Sequence, residues 1–559
     1  MALALRADYR AHLALCAQTL GTRYVRGHGL LDDDVGVFWA PGIYSFSNVY
    51  NIFDFLLSIN MRPIVELSFM PYALASNPAY VGIHYRANRS PPSNMTVWAD
   101  LVQALAQALV TRYGEATVAE FYFEVWNEPN DAFWNGTQAQ YFELYRASAQ
   151  AIKRVSPRLR VGGPATNSPA TWLTDFLGNM SAAGVPVDFV SSHAYASQTI
   201  DGVRYAGFAD ALAREMQQGL QAMQHSRLPW VMTEFGASPS QQIGLTYEPA
   251  TAYHDSVDQA AFVLAMADRA DRMSAASAAA GLSRIEVLSY WAFSDVFEEM
   301  FFPVANESFH GGFGLINLHG VPKPSFRALQ LLHETGSLRY PALPRVPPPP
   351  PACGPALSGM DLFGGDLGPP VENVSSLAAC CALCQALVGC QAYTHWTREA
   401  RCGLKGSAQL PAQPNPDRAS GRLPPPPECQ TYTGVLAIRN SSVLDVLVYA
   451  SAPQNVAWSV PYCNVTLTLA GPATPAAAAA ATATVRRIDA THANPRAAWE
   501  AMGAPNYTTP AQNQQILAAA AMPARPLSQD PGAGLTADHQ LWVVLAPNSL
   551  AAVRLDLLE

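Results

Sequence analysis

The chain has 559 residues, 49% of them hydrophobic and only 14% charged, against roughly 25% charged in an ordinary soluble domain. At roughly 150 residues per domain it can build one large core with smaller units attached. Lys and Arg number 34 against 43 Asp and Glu, a formal net charge of −9, which leaves no footprint for gripping nucleic acid through its phosphates. No apolar run reaches the roughly 18 residues a membrane-spanning helix needs.

At the start, Met1–Leu20 carries Arg6, Asp8 and Arg10 through its middle, which interrupts the apolar stretch of a secretory signal. Leu5, Tyr9, Leu13, Cys16 and Leu20 recur at three- or four-residue spacing, one face of an amphipathic helix. The chain is therefore expected to open inside a fold.

From Thr22 to about Leu338, short apolar runs alternate with longer helical patterns. Seven runs read as strands, beginning at Thr22, Arg62, Phe121, Leu159, Val187, Leu228 and Val287. Each is mostly apolar and turns polar at its carboxyl end, as buried parallel strands opening onto a site do. Thr137 with Gln140 predicts a capping box before the stripe Tyr141, Tyr145, Ala149 and Ile152. Ser168 before Pro169 predicts the cap of a helix holding Trp172 and Phe176. With a helix near Ser325–His333, eight helices and seven strands result. The predicted fold class is α/β, a (β/α)8 barrel that opens with a helix where its first strand should stand. A doubly wound open sheet is the alternative.

Beyond Leu338 the composition changes. Polyproline runs at 347–351 and 424–427 read as extended spacers. Cys353, Cys380, Cys381, Cys384, Cys390, Cys402 and Cys429 crowd the segment around and between them, seven of the nine cysteines. That density predicts a disulfide scaffold, because so short a segment cannot build an adequate core unaided. A zinc site on the Cys381-x-x-Cys384 pair is the competing reading, without a second such pair or paired histidines. From Tyr432 onward short alternating runs predict an antiparallel sandwich, with a low-complexity loop at 475–481. The predicted units are a barrel at 1–340, a cysteine-rich domain at 341–430 and a β-sandwich at 431–559.

Two carboxylates stand at carboxyl ends of predicted strands, Glu128 in FEVWNEPN and Glu234 in WVMTEFGAS. They are 106 residues apart, about 35 for each of three βα units, where one unit needs roughly 30 or more. Both are expected in one barrel mouth. Glycoside hydrolysis with retention needs such a pair: a nucleophile that stays ionised and an acid that holds its proton near working pH. A buried Glu paired with a nearby Arg is the plain structural alternative.

These blocks resemble glycoside hydrolase family 39, the β-xylosidases more than the α-L-iduronidases. The resemblance rests on RYVRGHGLLDDDVGVF (23–38), FDFLLSINMRPIVELSFMP (53–71), FEVWNEPN, LRVGGPA, VDFVSSHAY, SYWAFSDVFEE (289–299) and FHGGFGLINLHGVPKPSF (309–326), in order, and resumes weakly at 486–503. It implies that Glu128 is the acid/base and Glu234 the nucleophile, with Asn127 on the sugar's 2-hydroxyl. It implies His193 and Tyr195 lining the mouth, and His28, Asp33, Trp291, Glu298 and Glu299 shaping the sugar subsite. Scaffold histidines and a core tryptophan are the plain readings of His28, His193 and Trp291. The implied chemistry uses no metal and no cofactor. Family members begin upstream with the first barrel strand, so the chain reads as N-terminally incomplete. Gly236-Ala237-Ser238 stands where many xylosidases carry an Asn-containing turn.

The cysteine-rich segment resembles a PAN/apple domain through LFGGDLG (362–368), CCALCQALVGCQAYT (380–394) and CGLKGS (402–407). Such a module implies adhesion to a glycan or protein, and disulfides imply an oxidising, extracellular or secretory compartment. An outer Cys353–Cys429 bridge is expected. N-x-S/T sequons at Asn88, Asn94, Asn135, Asn179, Asn306, Asn373, Asn440, Asn464 and Asn506 predict a glycoprotein.

The expectation is a retaining exo-glycosidase releasing terminal β-D-xylosyl residues through a covalent intermediate, with a xylo-oligosaccharide or xyloside as substrate. The alternatives are an inactive barrel that binds carbohydrate through its cysteine module, or an iduronidase-like enzyme. Extra carboxylates in SDVFEE would repel an acidic sugar and weigh against the last.

Overall fold

The computed structural model describes residues 1–83, 85–200, 202–223, 226–240, 249–297, 307–336, 338–340, 353, 356–386, 390–406, 410–423, 432–440, 442–457, 462–469 and 482–556. Up to residue 340 helices and strands alternate: α1 (Ala7–Leu20), β1 (Tyr24–Arg26), α2 (Ser47–Ser58), β2 (Arg62–Glu66), α3 (Met95–Tyr113), β3 (Tyr122–Glu124), α4 (Gln138–Val155), β4 (Arg160–Thr166), α5 (Leu173–Ala182), β5 (Phe189–Tyr195), α6 (Ala209–Ala222), β6 (Trp230–Gly236), α7 (Asp258–Ala279), β7 (Ile285–Tyr290) and α8 (Pro324–His333). The seven strands pair in sequence order, every pair parallel. This is the near-closed sheet of a (β/α)8 barrel, and the doubly wound alternative, whose strand order would double back, is excluded.

Strands β2 to β6 are buried because helices cover their outer face and side chains fill the interior, whereas β7, at the open edge, is only half-buried. Local signals start the helices. Gln140 N–H donates to Thr137 Oγ1 at 3.2 Å and Thr137 N–H to Gln140 Oε1 at 2.8 Å, the expected capping box. Asn94 Oδ1 accepts from the N–H groups of Thr96 and Val97 and caps α3. Two expectations change. Ser168–Thr171 is a turn whose Ser168 carbonyl accepts the Thr171 N–H, so α5 starts at Leu173, after Trp172 in the left-handed region at φ 60°. In α1, Tyr9, Leu13 and Cys16 are buried as read, but Leu5 lies in a preceding 3-10 turn and is exposed.

Among the described residues no strand lies between β1 and β7. A cleft of about 650 Å³ occupies that position, lined by Leu13, Cys16, Tyr24, Leu288, Tyr290 and Leu329.

The cysteine-rich unit is a four-stranded antiparallel sheet in the order Leu357–Leu362, Ala412–Arg422, Ala392–Trp396, Arg401–Lys405, with the helix Leu377–Ala386 against it. Disulfides join Cys353 to Cys381, Cys380 to Cys402 and Cys384 to Cys390. The expected Cys353–Cys429 bridge is thereby corrected, since the Cys353 sulfur is taken by Cys381; Cys429 lies outside the described residues. The zinc reading fails too, because Cys381 and Cys384 belong to different disulfides.

The strands beyond the cysteine-rich unit form two antiparallel sheets, a six-stranded one that also takes in Leu338–Tyr340, and the three-stranded Cys463–Thr468, Gln540–Leu545 and Ala533–Leu535. Leu436, Leu447 and Ile488 of the larger sheet share one apolar cluster with Phe262 and Met266 of α7. Tyr449 O–H donates to Asp268 at 2.9 Å across that contact. Among the described residues no helix is long and apolar enough to cross a membrane.

Closing the loop of 22 residues between Cys380 and Cys402 is worth about 3 kcal/mol by loss of unfolded-chain entropy. A Cys380→Ala/Cys402→Ala protein should therefore melt its cysteine-rich unit earlier in urea, monitored at that unit by hydrogen exchange. An unchanged midpoint there would contradict this.

Candidate active site

The polar ends of the strands converge. β1 supplies Arg26 and, just beyond it, His28; β2 supplies Glu66; β3 ends in Glu124 and continues to Asn127 and Glu128; β5 supplies His193 and Tyr195; β6 supplies Glu234; Trp291 follows β7. Two local irregularities aim these groups. Trp126 and Glu128 hold positive φ, 74° and 41°, turning the chain after β3, and Glu128 N–H is tied to Ala165 O at 2.9 Å. The pairing of β6 with β5 slips between Met232 and Glu234. Such a bulge re-aims side chains, and here consecutive residues both reach inward, Thr233 Oγ1 donating to Glu124 at 2.8 Å and Glu234 meeting Arg26.

Arg26 stands at the centre, with its side chain only 1% exposed. Its guanidinium meets Glu66 at 2.8 Å, Glu124 at 2.5 Å and Glu234 at 2.6 Å, and donates to Asn127 Oδ1 at 2.9 Å. His28 Nδ1 lies 2.9 Å from Glu66 and its Nε2 3.8 Å from Glu234. Tyr195 O–H donates to Glu234 Oε2 at 2.7 Å. His193 Nδ1 lies 2.9 Å from Glu128 Oε1 and 3.5 Å from Glu234 Oε2. One oxygen of Glu128, one of Glu234 and one nitrogen of His193 all lie within 4.8 Å of one another.

Electrostatics separate the acids. Burial pushes the Glu128 carboxyl up to about 7, with Asp131 and Glu66 adding to the rise against His28 and Arg26. Burial also opposes charge on Glu66, but Arg26 and His28 outweigh it and bring that carboxyl down to about 2. For His28, burial opposes the imidazolium, yet the charge and hydrogen bond of Glu66 lift it to about 9. His193 is held neutral, burial bringing it down to about 4. The trio Glu128, His193 and Glu234 is also spaced to embrace a cation, but the neighbouring Arg26 already supplies positive charge to Glu234.

Of the residues singled out in the sequence, Glu128, Glu234, Asn127, His28, His193 and Tyr195 meet here, with the Trp291 ring 4.8 Å from that of His28. Asp33 does not join them: it is exposed and accepts the Tyr72 N–H at 3.0 Å. The buried acid of that run is Asp32, raised to about 7 by burial and by Asp34 and Asp33. Glu298 and Glu299 lie outside the described residues. Arg26, Glu66 and Glu124 are additions, and their signal was available as charged residues inside the apolar runs YVRGHG, PIVELS and FEVW.

Residues 1–339 match the sequence profile of the glycosyl hydrolases family 39, and residues 360–405 that of a PAN domain. A β-xylosidase of Caldicellulosiruptor saccharolyticus is 41% identical over 350 residues, 60% of this chain and 67% of that protein. One from Geobacillus stearothermophilus is 38% identical over 357 residues, 60% of this chain and 66% of that protein. The chain thus spans about two thirds of the length of these relatives. An α-L-iduronidase of Mus musculus is 28% identical over 193 residues, 31% of this chain and 28% of that protein. Among solved structures, a family 39 β-xylosidase from Caulobacter crescentus superposes with a TM-score of 0.66 at 25% identity, covering 99% of this chain and 93% of that one.

Because His28 holds its proton more tightly folded than unfolded, its contribution to stability is full below about 6.5 and is lost as pH climbs through about 9. The unfolding temperature should fall between about pH 6 and about pH 10, and a His28→Gln protein should lose that part of the slope. A slope identical in both proteins would contradict the ion pair with Glu66.

Proposed function

The chain belongs to the glycosyl hydrolases family 39, and from that premise we propose that it is a retaining exo-β-D-xylosidase acting on short xylo-oligosaccharides or xylosides. The observation that carries this reading is the closeness of the two acids: oxygens of Glu128 and Glu234 within 4.8 Å suit direct attack, which uses carboxyls roughly 5 to 5.5 Å apart, and leave no room for the water that inversion places between carboxyls roughly 6.5 to 9.5 Å apart.

In the proposed mechanism Glu234 attacks the anomeric carbon while Glu128, protonated near neutrality, gives its proton to the departing oxygen. Arg26 and Tyr195 hold Glu234 in line. Asn127, whose carbonyl oxygen is taken by Arg26, keeps its amide N–H groups for the sugar's 2-hydroxyl. Once the xylosyl ester forms, the negative charge of Glu234 is consumed and Glu128 ionises more readily. Glu128 then takes a proton from water, which attacks the anomeric carbon, breaks its bond to the Glu234 oxygen and frees xylose. His193, neutral and beside both acids, orients them without competing for the proton.

The PAN-like unit is proposed to hold a glycan or protein ligand, and its three disulfides support an oxidising, secretory or extracellular setting. Of the sequons, Asn88 is buried and hydrogen-bonded to Asn77 O, so any glycan belongs on exposed sites such as Asn135 or Asn464.

Glu234→Ala and Glu128→Ala should each lower turnover of an aryl β-xyloside by at least about a hundredfold, with azide restoring part of it in Glu128→Ala, where the anion replaces water without needing a base. A 2-fluoro xyloside should label Glu234 in peptide mass mapping. Label on another residue, or wild-type rates in both variants, would sink the assignment. Since Glu128 must carry its proton, kcat/KM should fall as pH rises through about 7, and that alkaline limb should vanish in Glu128→Gln.

A further inference from the structure

The SDVFEE and FHGGFGL blocks take no part in the chemistry above, yet they meet around one buried cation. Lys323, wholly buried at the start of α8, ion-pairs with Asp255 at 2.5 Å and Asp295 at 2.7 Å. It also donates to Gly312 O at 2.9 Å. The two carboxylates reach on to the same loop, Asp255 accepting the Gly311 N–H at 2.6 Å and Asp295 the Gly314 N–H at 2.7 Å. The loop has no slack. An added Cβ would lie 2.3 Å from Thr251 at Gly311, 2.4 Å from Asp295 at Gly312 and 2.3 Å from the Asp295 backbone at Gly314. Gly311 also sits at φ 78°, where a side chain is strained. His254 adds a contact to Gly311 O at 2.9 Å and one to Ser238 O at 3.2 Å, two residues past β6.

From this loop one aromatic chain leads to the acids. Phe313 lies 5.0 Å from His254 and 5.8 Å from Phe297, Phe297 lies 5.3 Å from Trp291, and Trp291 lies 4.8 Å from His28. The backbone runs in parallel, with Ala292 N–H donating to Phe313 O and Leu315 N–H to Ala292 O.

We propose that Lys323, with Asp255 and Asp295, is the positioning centre of the sugar platform: the ion cluster fixes the loop 311–314, Phe313 fixes Phe297, and together they hold Trp291 where the terminal sugar packs. This rests on the xylosidase reading above and assigns residues that the bond-breaking steps do not use. Stability alone is a poor account of the cluster, because a buried ion pair replaced by well-packed apolar residues is often no less stable. What three charges gain is direction, since Lys323 can satisfy two carboxylates and a carbonyl in only one arrangement of the loop. The role is binding of the ring, so the effect belongs in KM, while the geometry of Glu234, held by Arg26 and Tyr195, and of Glu128, held by His193 and Ala165 O, is left intact.

The test measures kcat and KM for an aryl β-D-xyloside in Lys323→Met, Asp295→Asn, Phe313→Ala and the Lys323→Met/Phe313→Ala pair. Each single change should raise KM about tenfold with kcat within about threefold, loss of binding shared by ground and transition states. The pair should be no worse than its more affected member, because both changes act on one platform. Effects that multiply in the pair, an unchanged KM, or kcat falling as KM stays fixed would each overturn the proposal. If Lys323→Met does not fold, Asp295→Asn combined with Phe313→Ala decides by the same criteria. Failure of the xylosidase reading would show separately, as wild-type protein that does not turn over the xyloside.

Discussion

Everything at the barrel mouth depends on the burial of Arg26 among carboxylates. A guanidinium out of water is costly, and so is each acid around it; only together, with Glu66, Glu124, Glu234 and Asn127 all meeting the guanidinium, are they tolerable. That mutual need draws the ends of β1, β2, β3 and β6 to one point. It places Glu234 on a cation and a phenol, whereas Glu128, on the turn after β3 beside His193, is left where burial keeps its proton. The difference in role proposed for these two chemically identical side chains is thus a difference of neighbours.

Much of this was legible in the amino-acid order. All seven barrel strands fall where apolar runs turn polar, because a parallel strand covered on both faces leaves little freedom in composition. The capping box at Thr137 was legible for a similar reason, since the two side chains and two N–H groups that satisfy one another sit within four residues. Less could be read where long-range geometry decides. Ser168 has the chemistry of a cap but ends in a turn, and Asp33, rather than its buried neighbour Asp32, was drawn into the site. The partner of Cys353 depended on which sulfur lay within reach in space. An arginine inside an apolar strand is itself a sign, because its burial demands several acids, and Arg26 finds them on β2, β3 and β6.

Three differently built units share this architecture with little waste. The sandwich continues the barrel's own apolar cluster through α7, so its place is fixed by common burial as well as by sequence. The cysteine-rich unit meets the barrel beside the hairpin Gln198–Ile200/Val203–Tyr205 that follows β5, where Ile200 lies near Gly406, and the sandwich reaches the end of the same hairpin, Gln454 exchanging hydrogen bonds with the Ala206 backbone. Its stiffness comes from sulfur and that of the barrel from packing.

The interval between β1 and β7 has a different significance. Among the described residues no strand pairs the facing edges of β1 and β7, and water satisfies peptide N–H and C=O groups less completely in a cleft walled by leucines. An extended, apolar segment of about five or six residues lying in that cleft would offer hydrogen-bond partners to both edges at once.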